Sequence, residues 1–70
     1  MRDVEIRDES IRLGQLMKLA NLVEDGAMAK ELLEAEVVLV NDEVETRRGR
    51  QLVLGDQVSV EDERVRVVQG

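Results

Sequence analysis

At residue 37 the apolar residues of this chain change their period, from 3.6 to 2. Before that point Leu13, Leu16, Met17 and Ala20 recur at i, i+3, i+4 and i+7, and Met28, Ala29, Leu32, Leu33 and Ala35 define a second amphipathic stretch. After it come Val37-Val38-Leu39-Val40, then Val58 alternating with Val60 and Val65 with Val67. A helical period and a strand period are not interchangeable, because each gathers apolar side chains on one face of only one kind of element. The chain is thereby restricted to two early helices and a later sheet on a shared core.

The punctuation fits that division. Val4 and Ile6 alternate with charged residues and predict a short strand at the start. Ser10 is a candidate cap for a helix over about 12–22, although the capping-box Glu or Gln is missing. Asp25-Gly26 reads as a break, with Asp25 the N-cap of a helix over about 26–35. Asn41-Asp42 suits a tight hairpin turn, Val44 opens a return strand running into Thr46–Arg50, and Leu54-Gly55-Asp56 and Glu61-Asp62-Glu63-Arg64 are further turns. The expected fold is α+β, in the order β-α-α-β-β-β-β, with two N-terminal helices packed on a small, mainly antiparallel sheet. Residues 1–70 form one domain, without a linker, a repeat or a proline.

Composition narrows the function. There is no Cys and no His, which excludes disulfides, thiolate chemistry and the usual zinc sites. The absence of Phe, Tyr and Trp excludes an aromatic base-stacking platform. Only carboxylates, Lys and Ser remain for acid-base or nucleophilic chemistry, so an enzyme is not expected and no cofactor is implied. Met17 and Met28 read as core filling. No apolar run approaches the ~18 residues of a membrane span, and Met1-Arg2-Asp3-Val4-Glu5 lacks the apolar stretch of a signal peptide. A cytoplasmic protein is the expectation.

The net charge of −6 argues against a general polyanion binder, but charge is unevenly spread. Residues 24–45 carry eight acids against Lys30 alone, whereas 46–54 carry Arg47, Arg48 and Arg50 with no acid. The acidic stretch suits a protein partner. The clusters Asp42-Glu43-Glu45 and Glu61-Asp62-Glu63 do not follow a calcium-loop pattern and read as solvated edges.

Ile11-Arg12-Leu13-Gly14-Gln15-Leu16-Met17-Lys18-Leu19-Ala20, then Ala29-Lys30-Glu31-Leu32, Val40-Asn41, Val44-Glu45-Thr46-Arg47-Arg48-Gly49-Arg50 and Leu54-Gly55-Asp56-Gln57-Val58 stand in one order along residues 11–60. Together they resemble the ribosomal protein S-four type RNA-binding domain, the αL motif, and within it the small stand-alone bacterial members. The resemblance implies non-catalytic binding of structured RNA, ribosomal or transfer RNA, linked to ribosome assembly or translation. Carried over by position, the RNA-binding residues are Arg12, Lys18, Lys30, Arg47, Arg48 and Arg50. Guanidinium suits phosphate because its planar fork meets two oxygens at once. Gly49 is expected to cluster the three arginines by permitting unusual backbone angles.

Each residue also has a plainer reading. Lys18 and Lys30 can be solubilising helix residues, Lys30 can pair with Glu34, and Arg12 with Asp8 or Glu9. Arg64 and Arg66 read as the exposed face of a strand. Family members often carry Gly where Glu36 and Asp42 stand, often a basic residue at Leu39, and a Ser-rich or basic loop at Glu24-Asp25. These departures strip positive charge from the expected surface and predict weak affinity or a narrow target. The alternatives are a small acidic protein-protein adaptor and a β-grasp sulfur carrier, the latter lacking its terminal Gly-Gly.

Overall fold

Alternation of Val4 and Ile6 with charged neighbours produces the first strand, β1 (Arg2–Ile6), with both apolar side chains buried. The computed structural model describes every residue from Met1 to Gly70. A short strand, β2 (Ser10–Arg12), leads directly into α1 (Leu13–Leu19), and a corner leads on to α2 (Gly26–Glu34). The remaining elements are β3 (Val38–Val40), β4 (Glu43–Val44), β5 (Gln51–Val53), β6 (Gln57–Val60) and β7 (Glu63–Gln69). No helix is long and apolar enough to cross a membrane.

Five strands form one sheet in the order β1-β7-β6-β3-β4, while β2 and β5 pair as a separate antiparallel ribbon. The fold is the expected α+β arrangement, but the order is β-β-α-α-β-β-β-β-β, the ribbon strands β2 and β5 being additional to the five strands expected. β1 runs parallel to β7, Val4 opposite Val67, so the sheet is mixed. A parallel pair needs a long crossover, and here almost the whole domain supplies it. Sixteen buried apolar residues join helices and sheet into one core, centred on Leu13, Leu16, Met17, Leu33 and the valines of β3, β6 and β7.

Several local expectations are corrected. Ser10 does not cap a helix; it pairs with Val53 in β2, and α1 starts after Arg12 with no side-chain cap. α1 also ends at Leu19, short of residue 22, because Asn21 takes a φ of 60° and turns the chain away. The strand opened by Val44 stops there, since Glu45 turns its carboxylate onto the following amides. Met28 is 40% exposed and so is not core filling, unlike Met17.

Other signals hold. Asp25 Oδ1 accepts from the Met28 amide at 2.9 Å, as an N-cap does. Asn41 and Asp42 both have positive φ, 51° and 69°, the geometry of a two-residue hairpin that matches strand twist. Asn41 then joins two turns: its Nδ2 donates to Asp56 Oδ1 at 3.1 Å, and its Oδ1 accepts from the Gln57 amide at 2.9 Å. Asp56 Oδ2 in turn accepts from the Val53 amide at 2.9 Å. One amide and one carboxylate thus bind the β3–β4 and β5–β6 turns together.

Candidate nucleic-acid interface

The loop after β4 is organised by a carboxylate. Glu45 is only 6% exposed, and its Oε2 accepts from the Thr46 amide at 3.0 Å, the Arg47 amide at 2.9 Å and Arg47 Nε at 3.1 Å. Its Oε1 accepts from Arg50 Nη1 at 3.1 Å. Donors to the charged form favour ionisation, so the Arg47 guanidinium, the Arg47 amide and Arg50 outweigh the opposing effect of burial and hold the Glu45 carboxyl at about 2. Glu45 therefore does not belong to a solvated acidic edge with Asp42 and Glu43. It is an anchor, while Asp42 pairs with Arg64 at 2.9 Å and Asp3 with Arg66 at 3.1 Å.

The same loop caps the first helix. The opening amides of α1 have no partners within the helix. Leu13 N–H donates to the Arg50 carbonyl at 2.8 Å and Gly14 N–H to the Arg48 carbonyl at 3.0 Å. Loop and helix are locked together through backbone, and the Arg48 side chain comes to lie over Gly14. Gly14 is buried beneath it.

Arg48 forms one wall of a cleft of about 380 Å³ between α1, α2 and the loop. Arg12, Lys18 and Gln15 line it beside Arg48, over a floor that includes Gly14, Gly26 and Ala29. Gly26 opens α2, whose amide end is capped by the Asp25 carboxylate. No carboxylate lines the cleft. Arg12 makes no ion pair with Asp8 or Glu9.

Arg12, Lys18 and Arg48 are thus brought together. Lys30 lies across Arg48 in a shallow depression with Thr46 and Glu34, and its 3.9 Å pair with Glu34 is exposed on both sides and weak. Arg47 and Arg50 are drawn to Glu45 and do not line the cleft. Arg47 keeps 75% of its side chain exposed, Arg50 only 33%. Gly49 has no positive φ, so the division of the three arginines comes from Glu45 and not from a glycine bend. Sequence reasoning missed Glu45, Gly14 and Gln15. Spacing held a trace of the first, an acid two residues before Arg47 and five before Arg50.

Residues 4–68 match the S4 domain family. The chain belongs to that family. It is also 50% identical over 58 residues to the probable ribosome maturation protein RlbA of Bacillus subtilis (strain 168), a match covering 83% of this chain and 82% of that one. The S4 domain assignment sets aside the β-grasp reading. It also gives the stretches that carried the resemblance a physical role: Gly14 lies under Arg48, and Asn41 and Asp56 clamp two turns. No group of three or more acids forms a metal site.

Proposed function

We propose that this S4 domain protein binds structured RNA, ribosomal or transfer RNA, without catalysing a reaction on it. One observation carries the reading. In a chain of net charge −6, the cleft between the two helices and the 46–50 loop is lined by three cations and no carboxylate. Concave walls of one sign focus the field, so a body that repels polyanions keeps one strip that attracts them. Arg12 and Arg48 match phosphate oxygens with planar forks, and the Gln15 amide offers a donor and an acceptor to a 2′-hydroxyl. With no aromatic ring in the chain, recognition rests on backbone and shape.

Lys30 and the exposed Arg47 are positioned to meet phosphates beyond the cleft, whereas Arg50 acts chiefly through Glu45. The name of the Bacillus subtilis relative, a probable ribosome maturation protein, supports ribosome maturation as the process, and ribosomal RNA is the target this reading favours. The cytoplasm is the compartment that reading implies.

Filter binding to ribosomal RNA fragments and to transfer RNA tests it, comparing the protein with Arg48→Glu and with Arg7→Glu. Both variants change net charge equally, but Arg7 lies outside the cleft. Arg48→Glu is expected to weaken binding about tenfold or more, and Arg7→Glu by less than about threefold. Equal losses, or no binding of the unaltered protein to either RNA at low salt, would refute the assignment.

A further inference from the structure

Successive residues of α2 turn by 100°, so Met28 and Leu32 project roughly opposite to Gly26 and Lys30. The Gly26 and Lys30 side faces the basic cleft and its neighbouring depression. The Met28 and Leu32 side faces the turn between β6 and β7 across a second groove of about 460 Å³. Its floor is apolar, made by Leu22, Met28, Leu32 and Val60. Its rim is Glu61, Asp62 and Glu63, and no Lys or Arg lines it.

Asp3, Asp42 and Glu45 are each matched by an arginine, but Glu61, Asp62 and Glu63 enter no ion pair and accept no side-chain hydrogen bond. Three carboxylates without an ion pair therefore border an apolar trough whose floor includes a 40% exposed methionine, with Arg2 and Arg64 on the far side of the turn.

We propose that this groove docks a basic amphipathic segment of a protein partner, with apolar side chains on the Met28–Leu32 floor and Lys or Arg against the 61–63 turn. Charge complementarity selects that occupant. An RNA strand would meet three carboxylates and no cation. A second copy of this acidic chain would bring its one carboxylate-free cationic cleft at the expense of RNA binding. A purely apolar segment would strip water from the carboxylates without replacing its hydrogen bonds. A basic amphipathic segment satisfies both parts: burial on the floor supplies affinity, and the rim supplies orientation and a faster encounter. Because cleft and groove flank opposite sides of α2, both can be filled at once, and the domain would join RNA to a basic protein segment. The inference goes beyond RNA binding and does not depend on it.

The test is an amide-resolved NMR titration of the full chain with a synthetic peptide of about 15 residues, long enough to form a helix on a surface. Leu in it recurs at i, i+3, i+4 and i+7 among Lys, Arg and Ala; a scrambled isomer of the same composition is the control. Shifts are expected around Leu22, Met28, Leu32 and residues 60–63, and not around Arg12, Lys18 or Arg48. Met28→Gln, at an exposed position, and separately Glu61→Lys with Glu63→Lys, are each expected to weaken the peptide about tenfold. The scrambled isomer is expected to bind at least about tenfold more weakly. Equal binding of the scrambled isomer, shifts spread over the whole acidic surface, or indifference to Met28→Gln would overturn the proposal. Self-association in sedimentation that Met28→Gln abolishes would overturn it too, naming a second copy as the occupant.

Discussion

The Arg48 side chain lies across Gly14 so closely that a β-carbon at residue 14 would stand 2.5 Å from Arg48 Cγ and 3.2 Å from its Cδ. Gly14→Ala therefore cannot keep Arg48 where it is. Two effects on stability oppose each other: alanine in a helix gains up to about 1 kcal/mol over glycine, and displacing the arginine stem costs roughly 1–3 kcal/mol. Net stability is expected to fall by no more than about 2 kcal/mol, with the fold intact. RNA affinity is expected to fall about fivefold or more as Arg48 leaves the cleft wall. Urea unfolding and filter binding on the same samples separate the two. Unchanged affinity would show that Arg48 contributes nothing from this position.

Glu45 gives the domain a pH dependence of known sign. Its carboxyl is held at about 2 in the folded protein against an ordinary value of 4.5. A depressed folded value means stability that is fully present above about pH 4.5 and lost as pH falls toward 2. The stabilisation is of order 1–2 kcal/mol, because the exposed Arg47 partner is screened by solvent. Glu45→Gln is expected to be less stable than the unaltered protein at neutral pH by about that amount. Below about pH 4 the difference should shrink. Thermal melts of both proteins across this range check it, and parallel curves would mean that Glu45 does not carry the coupling.

Glu36, just beyond the end of α2, has a φ of 61°, a left-handed conformation that costs a residue with a β-carbon about 1–2 kcal/mol. Glycine removes that cost but gives the unfolded chain more freedom, which takes back part of the gain. Glu36→Gly is expected to stabilise by about 0.5–1 kcal/mol, a rise in Tm of several degrees for a domain of this size. Asp42→Gly, at φ 69°, is expected to be near neutral. Aspartate tolerates that region better than glutamate, and the change also removes the ion pair to Arg64. A Tm rise for Asp42→Gly equal to that of Glu36→Gly would contradict this ordering.

What could be seen in the sequence was mostly local. The helix faces followed from spacing within a few residues, and the Asp25 cap and the Asn41-Asp42 turn from side chains that bond or bend their own backbone. The pairing of β1 with β7 joins Val4 to Val67, a register no local pattern encodes. Strand β2 is three residues long and exists because Leu52 and its neighbours offer an edge to it. The candidate site divided the same way. Arg12, Lys18 and Arg48 could be named by type, but charge counting treats Arg47, Arg48 and Arg50 alike. A buried Glu45 and a capped helix end give them different directions.

That division fixes how binding should respond to salt. Each phosphate neutralised releases counterions, so log affinity falls with log salt at a slope of roughly 0.7–0.9 per contact. If the cleft cations Arg12, Lys18 and Arg48 alone meet phosphate, the slope is expected to be about −2 to −3, and Lys30 and Arg47 would each steepen it by about 0.7–0.9. If all six basic residues named from the sequence did so, it would be about −4 to −5. Arg48→Ala is expected to reduce the slope by about one, whereas Arg50→Ala should leave it nearly unchanged, because that guanidinium already donates to Glu45. Arg50→Ala should instead lower stability, by leaving Glu45 Oε1 with only the longer 3.3 Å bond from Arg47 Nη2. Titrations with one ribosomal RNA fragment at four or more salt concentrations distinguish the two counts. A steep slope that Arg50→Ala and Arg48→Ala reduce equally would mean that Arg50 leaves Glu45 to meet the RNA, and that the binding surface extends along the whole loop.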